Sequence, residues 1–148
     1  MTIRLPFTRL LACAVLAAAA LPAQAQNRAV TITAPAEARP GDGIDVAVAA
    51  STDATDGERI GFLHSEYSVD GGKTWTSFCY EAKLGRTATR SLKLKAGEAG
   101  TKVIVRARVA FRDGKAGDVD FKGGAIQWGE TWEKWLTPPA RSHIIYVR

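Results

Sequence analysis

Cysteine and histidine are scarce in this chain, with two of each in 148 residues. Cys13 lies in an amino-terminal apolar run, so a mature protein that has lost that run keeps Cys79 alone and can form no internal disulfide. His64 and His143 fall in separate segments, and a zinc site needs three or four converging ligands, so neither a metal nor a cofactor is expected. A Cys79–His dyad would lack a third group to orient its base. The glycine-rich segments lead into no helix carrying a lysine, which excludes a phosphate loop. No internal repeat, no low-complexity linker and, before residue 125, no helix-period segment is found. The apolar run Leu10 to Leu21 is far below the ~20 residues that span a bilayer, so no membrane span is expected. A formal net charge of +5 is too modest for the footprint of a nucleic-acid binder.

The first 25 residues carry what the rest lacks. Arg4 and Arg9 make a basic start, the apolar run follows, and Ala23-Gln24-Ala25 has the small-x-small form that signal peptidase reads. Residues 1–25 are therefore expected to be a removed signal peptide, leaving residues 26–148 as one exported domain, periplasmic or extracellular. A lipoprotein reading through Cys13 fits less well, because the apolar run continues past that cysteine.

Period-two alternation fills most of the remainder. Val30, Ile32 and Ala34 alternate with threonines until Pro35, which predicts a short edge strand. Ile44, Val46, Val48 and Ala50 form one face of a second strand, and residues 51–59 read as a polar surface loop. Leu92 and Leu94 mark another strand. The longest carries Val103, Val105, Ala107, Val109 and Phe111 on one face and Lys102, Ile104, Arg106, Arg108, Ala110 and Arg112 on the other. That second face reads as solvated and basic, with Arg106, Arg108 and Arg112 as a candidate anion-binding stripe. Six or seven short strands in about 120 residues, with a last strand at Ile144 to Val147, predict an all-β, antiparallel sandwich of immunoglobulin type.

Tyr67 to Trp75 reads as a β-hairpin, since Asp70-Gly71-Gly72 tolerates the positive φ of a tight turn. Ser68, Asp70, Gly72, Thr74 and Trp75 fill the places of Ser-x-Asp-x-Gly-x-Thr-Trp, the pattern called an Asp-box. Asp-boxes recur once per blade in sialidase-like propellers, but this chain has one copy. The hairpin more closely resembles those of bacterial immunoglobulin-like and fibronectin-III-like domains, and is similar to that of the immunoglobulin-like domain in sulfite-oxidase-type molybdenum enzymes. Ser65 stands where those hairpins usually carry an apolar residue. The resemblance implies a structural role for Asp70, serving the turn, and a core position for Trp75, where truncation to alanine would cost ~3–5 kcal/mol.

The alternation breaks after Phe111. Residues 114–141 form a long insertion before the last strand, with Asp118 to Trp128 as a possible small hairpin and Trp128, Trp132 and Trp135 at helical i, i+4, i+7 spacing before Pro138-Pro139. These tryptophans either cap the sandwich or present a ligand-binding platform. The function expected is a non-enzymatic binding module that uses this Trp-rich insertion on a protein or glycan partner. The alternatives are an accessory or dimerisation-type partner of a periplasmic redox enzyme, from the hairpin's similarity, and a carbohydrate-binding protein, from the Asp-box and tryptophans. Mass spectrometry of the exported protein is expected to show an unlipidated amino terminus at Gln26; an acylated Cys13 would overturn the leader assignment.

Overall fold

The computed structural model describes residues 27–55, 57–82, 84–111 and 138–148. Within these the chain is all β, with eight strands and no helix. The strands are β1 (Arg28–Thr33), β2 (Glu37–Ala38), β3 (Gly43–Thr52), β4 (Ile60–Ser68), β5 (Thr76–Ala82), β6 (Thr87–Lys95), β7 (Lys102–Phe111) and β8 (Arg141–Val147). They form a three-stranded sheet in the order β1-β3-β6 and a five-stranded sheet in the order β2-β8-β7-β4-β5. Every pairing is antiparallel except that of the two-residue β2 with β8.

The alternation read from the sequence decides what the two sheets bury. Val30 of β1 and Ile44, Val46, Val48 and Ala50 of β3 face Leu63, Val103, Val105, Ala107, Val109, Phe111, Ile145 and Val147 of the larger sheet in one hydrophobic core. β-Branched side chains dominate because they pack well on a half-buried pleated surface. Cys79 belongs to this core at 3% exposure, as a small buried hydrophobe. Burial pushes its thiol up to about 11, and the Glu81 carboxylate adds to the shift, so it stays protonated. Ser65, on the same inner face, is fully buried and its hydroxyl has no hydrogen-bond partner. That is the physical cost of a serine at an apolar position.

The two ends differ. One gathers Asn27, the 53–59 loop, the β5–β6 connection and the point where the chain leaves β7, since Ile60 pairs with Phe111 and its amide bonds to the carbonyl of Gly85. The other holds the turns at 39–43, 69–75 and 96–101 together with Arg148. Among the described residues of the polar loop expected over 51–59, Glu58 is a buried acid. Glu58 is 1% exposed, accepts Nε and Nη2 of Arg28 at 2.9 and 2.6 Å, and takes the Thr52 hydroxyl at 2.5 Å. This pins β1 to the loop after β3, and removing one partner of so buried a pair usually costs ~3–5 kcal/mol. Opposite, Glu81 of β5 and Arg90 of β6 form an ion pair that bridges the open edges of the two sheets.

Two expectations are corrected here. Trp75 is half-buried and lies outside the core, because it follows the turn on the outward side of the larger sheet. The second face of β7 is solvated only at its start: Lys102 is exposed, Ile104 and Arg106 are half-buried, and Arg108 and Ala110 are buried. Leu63→Ala is accordingly expected to cost about 2–5 kcal/mol in urea unfolding, and Trp75→Ala only about 1–2 kcal/mol. A Trp75→Ala loss equal to that of Leu63→Ala would put the indole back in the core.

Candidate functional site: the outer face of the larger sheet

The register of β4 on β7 builds this face. Phe62 pairs with Ala110, His64 with Arg108, Glu66 with Arg106 and Ser68 with Ile104, so four outward residues of each strand meet as cross-strand neighbours. Two bulges maintain that arrangement. One, between Ile60 and Phe62, lets Ile60 join the core while Phe62 points outward; the other, between Ser65 and Glu66, shifts β5 against β4.

A chain of charge-assisted contacts crosses the face. The Arg106 guanidinium donates Nε and Nη2 to Glu66 Oε2 at 2.9 and 2.6 Å. His64 Nε2 lies 3.0 Å from Glu66 Oε1, and Arg108 Nε donates to His64 Nδ1 at 3.4 Å. A nitrogen that accepts from arginine carries no proton, so His64 is the neutral tautomer protonated on Nε2 and donates that proton to Glu66. Burial lowers the His64 pKa below its ordinary value; Glu66 works against the shift and Arg108 reinforces it. The imidazole is wedged edge-on against Tyr80 at 5.1 Å and Phe62 at 6.3 Å, and those two rings meet at 4.4 Å.

The hairpin covers the far side of Arg106. Its guanidinium carbon sits 3.6 Å from the centre of the Trp75 ring, and Trp75 Nε1 donates to the carbonyl of Gly72 at 3.1 Å. Gly71 and Gly72 take φ of 73° and 97°, as the turn requires. The Asp70 carboxylate accepts from the Thr74 hydroxyl at 2.6 Å, from the amides of Lys73 and Thr74 at 2.9 Å each, and from the Ser68 hydroxyl at 2.7 Å. The Thr74 hydroxyl and amide, followed by Ser68, hold its pKa well below the usual carboxylate range. Asp70 is thus fully occupied by the turn, the structural role its motif implied.

Of the candidate residues, Arg106 and Arg108 lie on this face, two residues apart on β7, with their guanidiniums engaged by Glu66 and His64. Arg112, Trp128, Trp132 and Trp135 lie outside the described residues. His64, Glu66, Phe62 and Tyr80 were missed as site residues. The outward set Phe62-x-His64-x-Glu66 was visible as an alternation, but only the β7 register shows that it meets the arginines. Among the described residues no three histidine, cysteine or carboxylate side chains come together as a metal-ligand set, and no helix is long and apolar enough to cross a membrane.

Neither a protein-family model nor a curated protein sequence matches the chain. Among solved structures it is similar to the superoxide reductase (neelaredoxin) from Ignicoccus hospitalis, at 14% identity over 58% of this chain and 71% of that one, with a TM-score of 0.41. The expectation of a non-enzymatic protein is withdrawn on this finding, since the matched structure is that of an enzyme. At that TM-score the likeness transfers neither fold nor activity to this chain.

His64 supplies a test of the network. Its folded pKa lies below its unfolded value of about 6.5, so between the two values the unfolded chain binds the extra proton and stability falls as pH falls. The urea midpoint is expected to drop between pH 7.5 and pH 5.5 in the parent and to change less over that range in His64→Gln. Equal slopes would show that His64 is not the group responsible.

Proposed function

We propose that the protein is an exported immunoglobulin-like β-sandwich that works as a binding module and engages its partner through the outer face of the larger sheet. The strand order supports the fold reading: two antiparallel layers share one core, and a short parallel strand lies beside the last strand. The leader sequence supports export.

One observation carries the functional reading. The outward side of the larger sheet combines rings with charges, and the outward side of the smaller sheet has no ring and carries its charges, Asp45, Lys93 and Lys95, at one end. On the smaller sheet, cross-strand rows read Ala29-Ser51-Thr87, Thr31-Ala49-Thr89 and Thr33-Ala47-Ser91, followed by the Asp45-Lys93 ion pair. A shallow groove of about 410 Å³ there is lined by Thr33, Asp45, Val46, Ala47, Ser91, Leu92 and Lys93, with no aromatic ring among them. The larger sheet instead presents Trp75, Tyr80, Tyr146 and Arg106, residue types in which binding energy concentrates, together with Ile144 and Lys102.

The experiment is site-specific photo-cross-linking in producing cells. Benzoylphenylalanine at Ser142, outward on β8 opposite Arg106, is expected to give a discrete adduct, and the same residue at Ser91 on the smaller sheet none. No adduct from Ser142, or equal adducts from both positions, would defeat the proposal.

A further inference from the structure

The large hydrophobic side chains left exposed among the described residues are Val69, Ile144 and Tyr146, at 45%, 40% and 40%. All three belong to the larger sheet or its hairpin, and the last two point outward from β8. Ile144 pairs directly with Ile104, and Tyr146 with Lys102. Ile104 and Trp75 both flank Gly72: a Cβ built there would lie 3.6 Å from Ile104 Cδ1 and 3.7 Å from Trp75 Cζ2. Ile104, Ile144 and Tyr146 therefore form an apolar strip across β7 and β8, with Trp75 at its edge where that ring stacks on Arg106 of the arginine–glutamate–histidine chain.

Three cations border the strip, and the two carboxylates beside it are paired with two of them. Lys102 Nζ lies 5.5 Å from the Tyr146 ring centre and the Arg148 guanidinium 5.9 Å from it, while Arg106 stacks on Trp75. The neighbouring carboxylates are already taken, Glu66 by Arg106 and Glu37 by Arg148 at 2.9 Å. Lys102 makes no ion pair among the described residues.

We infer that this strip docks an acidic protein surface, with Ile104, Ile144 and Tyr146 covered by apolar side chains of the partner and Lys102 facing a partner carboxylate. The inference rests on the binding-module reading and names its partner class. Charge favours an acidic partner over a second copy of this chain, because Lys102, Arg106 and Arg148 border the strip on every copy and the two carboxylates beside it, Glu66 and Glu37, are already paired. The branched aliphatics decide against a sugar. Ile104 and Ile144 offer no flat face for a pyranose, and one face of Trp75 is occupied by Arg106.

The test places benzoylphenylalanine at Ile144 of the full chain in producing cells and reads the mass and isoelectric point of the captured species. An acidic protein is expected. Its yield should fall by about fivefold or more when Lys102→Glu is added, persist with Lys102→Arg, and be unaffected by Lys93→Glu on the opposite sheet. An unchanged urea midpoint verifies that Lys102→Glu still folds, and Lys102→Gln, expected to lie between parent and Lys102→Glu, serves if it does not. No adduct at Ile144, an adduct indifferent to the charge at Lys102, a captured second copy, or a captured polysaccharide would each overturn the inference. The Ser142 experiment separates the two failures: an adduct there with none at Ile144 leaves the binding-module reading standing and removes the docking strip.

Discussion

The pairing of β4 with β7 is the constraint on which the rest of the molecule depends. Both strands are central in the larger sheet, and each has both faces committed. Their inward residues, Leu63 opposite Val109 and Tyr67 opposite Val105, contribute to the core; their outward residues set Glu66 against Arg106 and His64 against Arg108. A slip of one residue would send the arginines inward and the valines to the outer face, so core and surface network fix the same register independently. The bulge at Ile60 and Phe62 allows both conditions to hold where β4 enters the sheet.

The inner half of this arrangement was legible in the sequence. Val103 to Phe111 and Ile44 to Ala50 alternate cleanly, and period-two alternation needs no knowledge of partners to be read as a buried face. The hairpin was legible for a similar reason, since Ser68, Asp70, Gly72 and Thr74 satisfy one another within seven residues. What escaped notice depends on distant partners. Arg106 and Arg108 look like solubilising charges until β4 brings Glu66 and His64 opposite them, 40 and 44 residues away in the chain. Trp75 was assigned to the core from the resemblance of its hairpin, but its contacts with Gly72 and Arg106 hold it on the outer face. Glu58 likewise read as a loop acid because its partner Arg28 is 30 residues earlier. The candidate tryptophans at 128, 132 and 135 fall outside the described residues, so the described part of the site joins Arg106 and Arg108, which the sequence nominated, to Phe62, His64, Glu66 and Tyr80, which it did not.

The outer face also shows how charged groups come to be buried at tolerable cost. Arg106 and Glu66 are desolvated together, and His64 avoids the penalty of a second cation beside Arg108 by remaining neutral. Phe62 and Tyr80 exclude water from one flank and Trp75 from the other. The result is a preorganised polar network with an apolar strip beside it, in contrast to the short, uniform side chains of the smaller sheet.

Arg28 enters β1 at the end of the layers where the 53–59 loop lies, and Arg148 leaves β8 at the opposite end, so the first and last strands run in the same direction. Tension applied between Asn27 and Arg148 would act along the strands. β1 would slide lengthwise against β3, loading its ladder of hydrogen bonds all at once, and the bidentate grip of Arg28 on Glu58 would resist that sliding at the point of entry. A fold whose ends lay side by side would instead unzip one bond at a time. The geometry of two strands thus gives the domain mechanical resistance along its length.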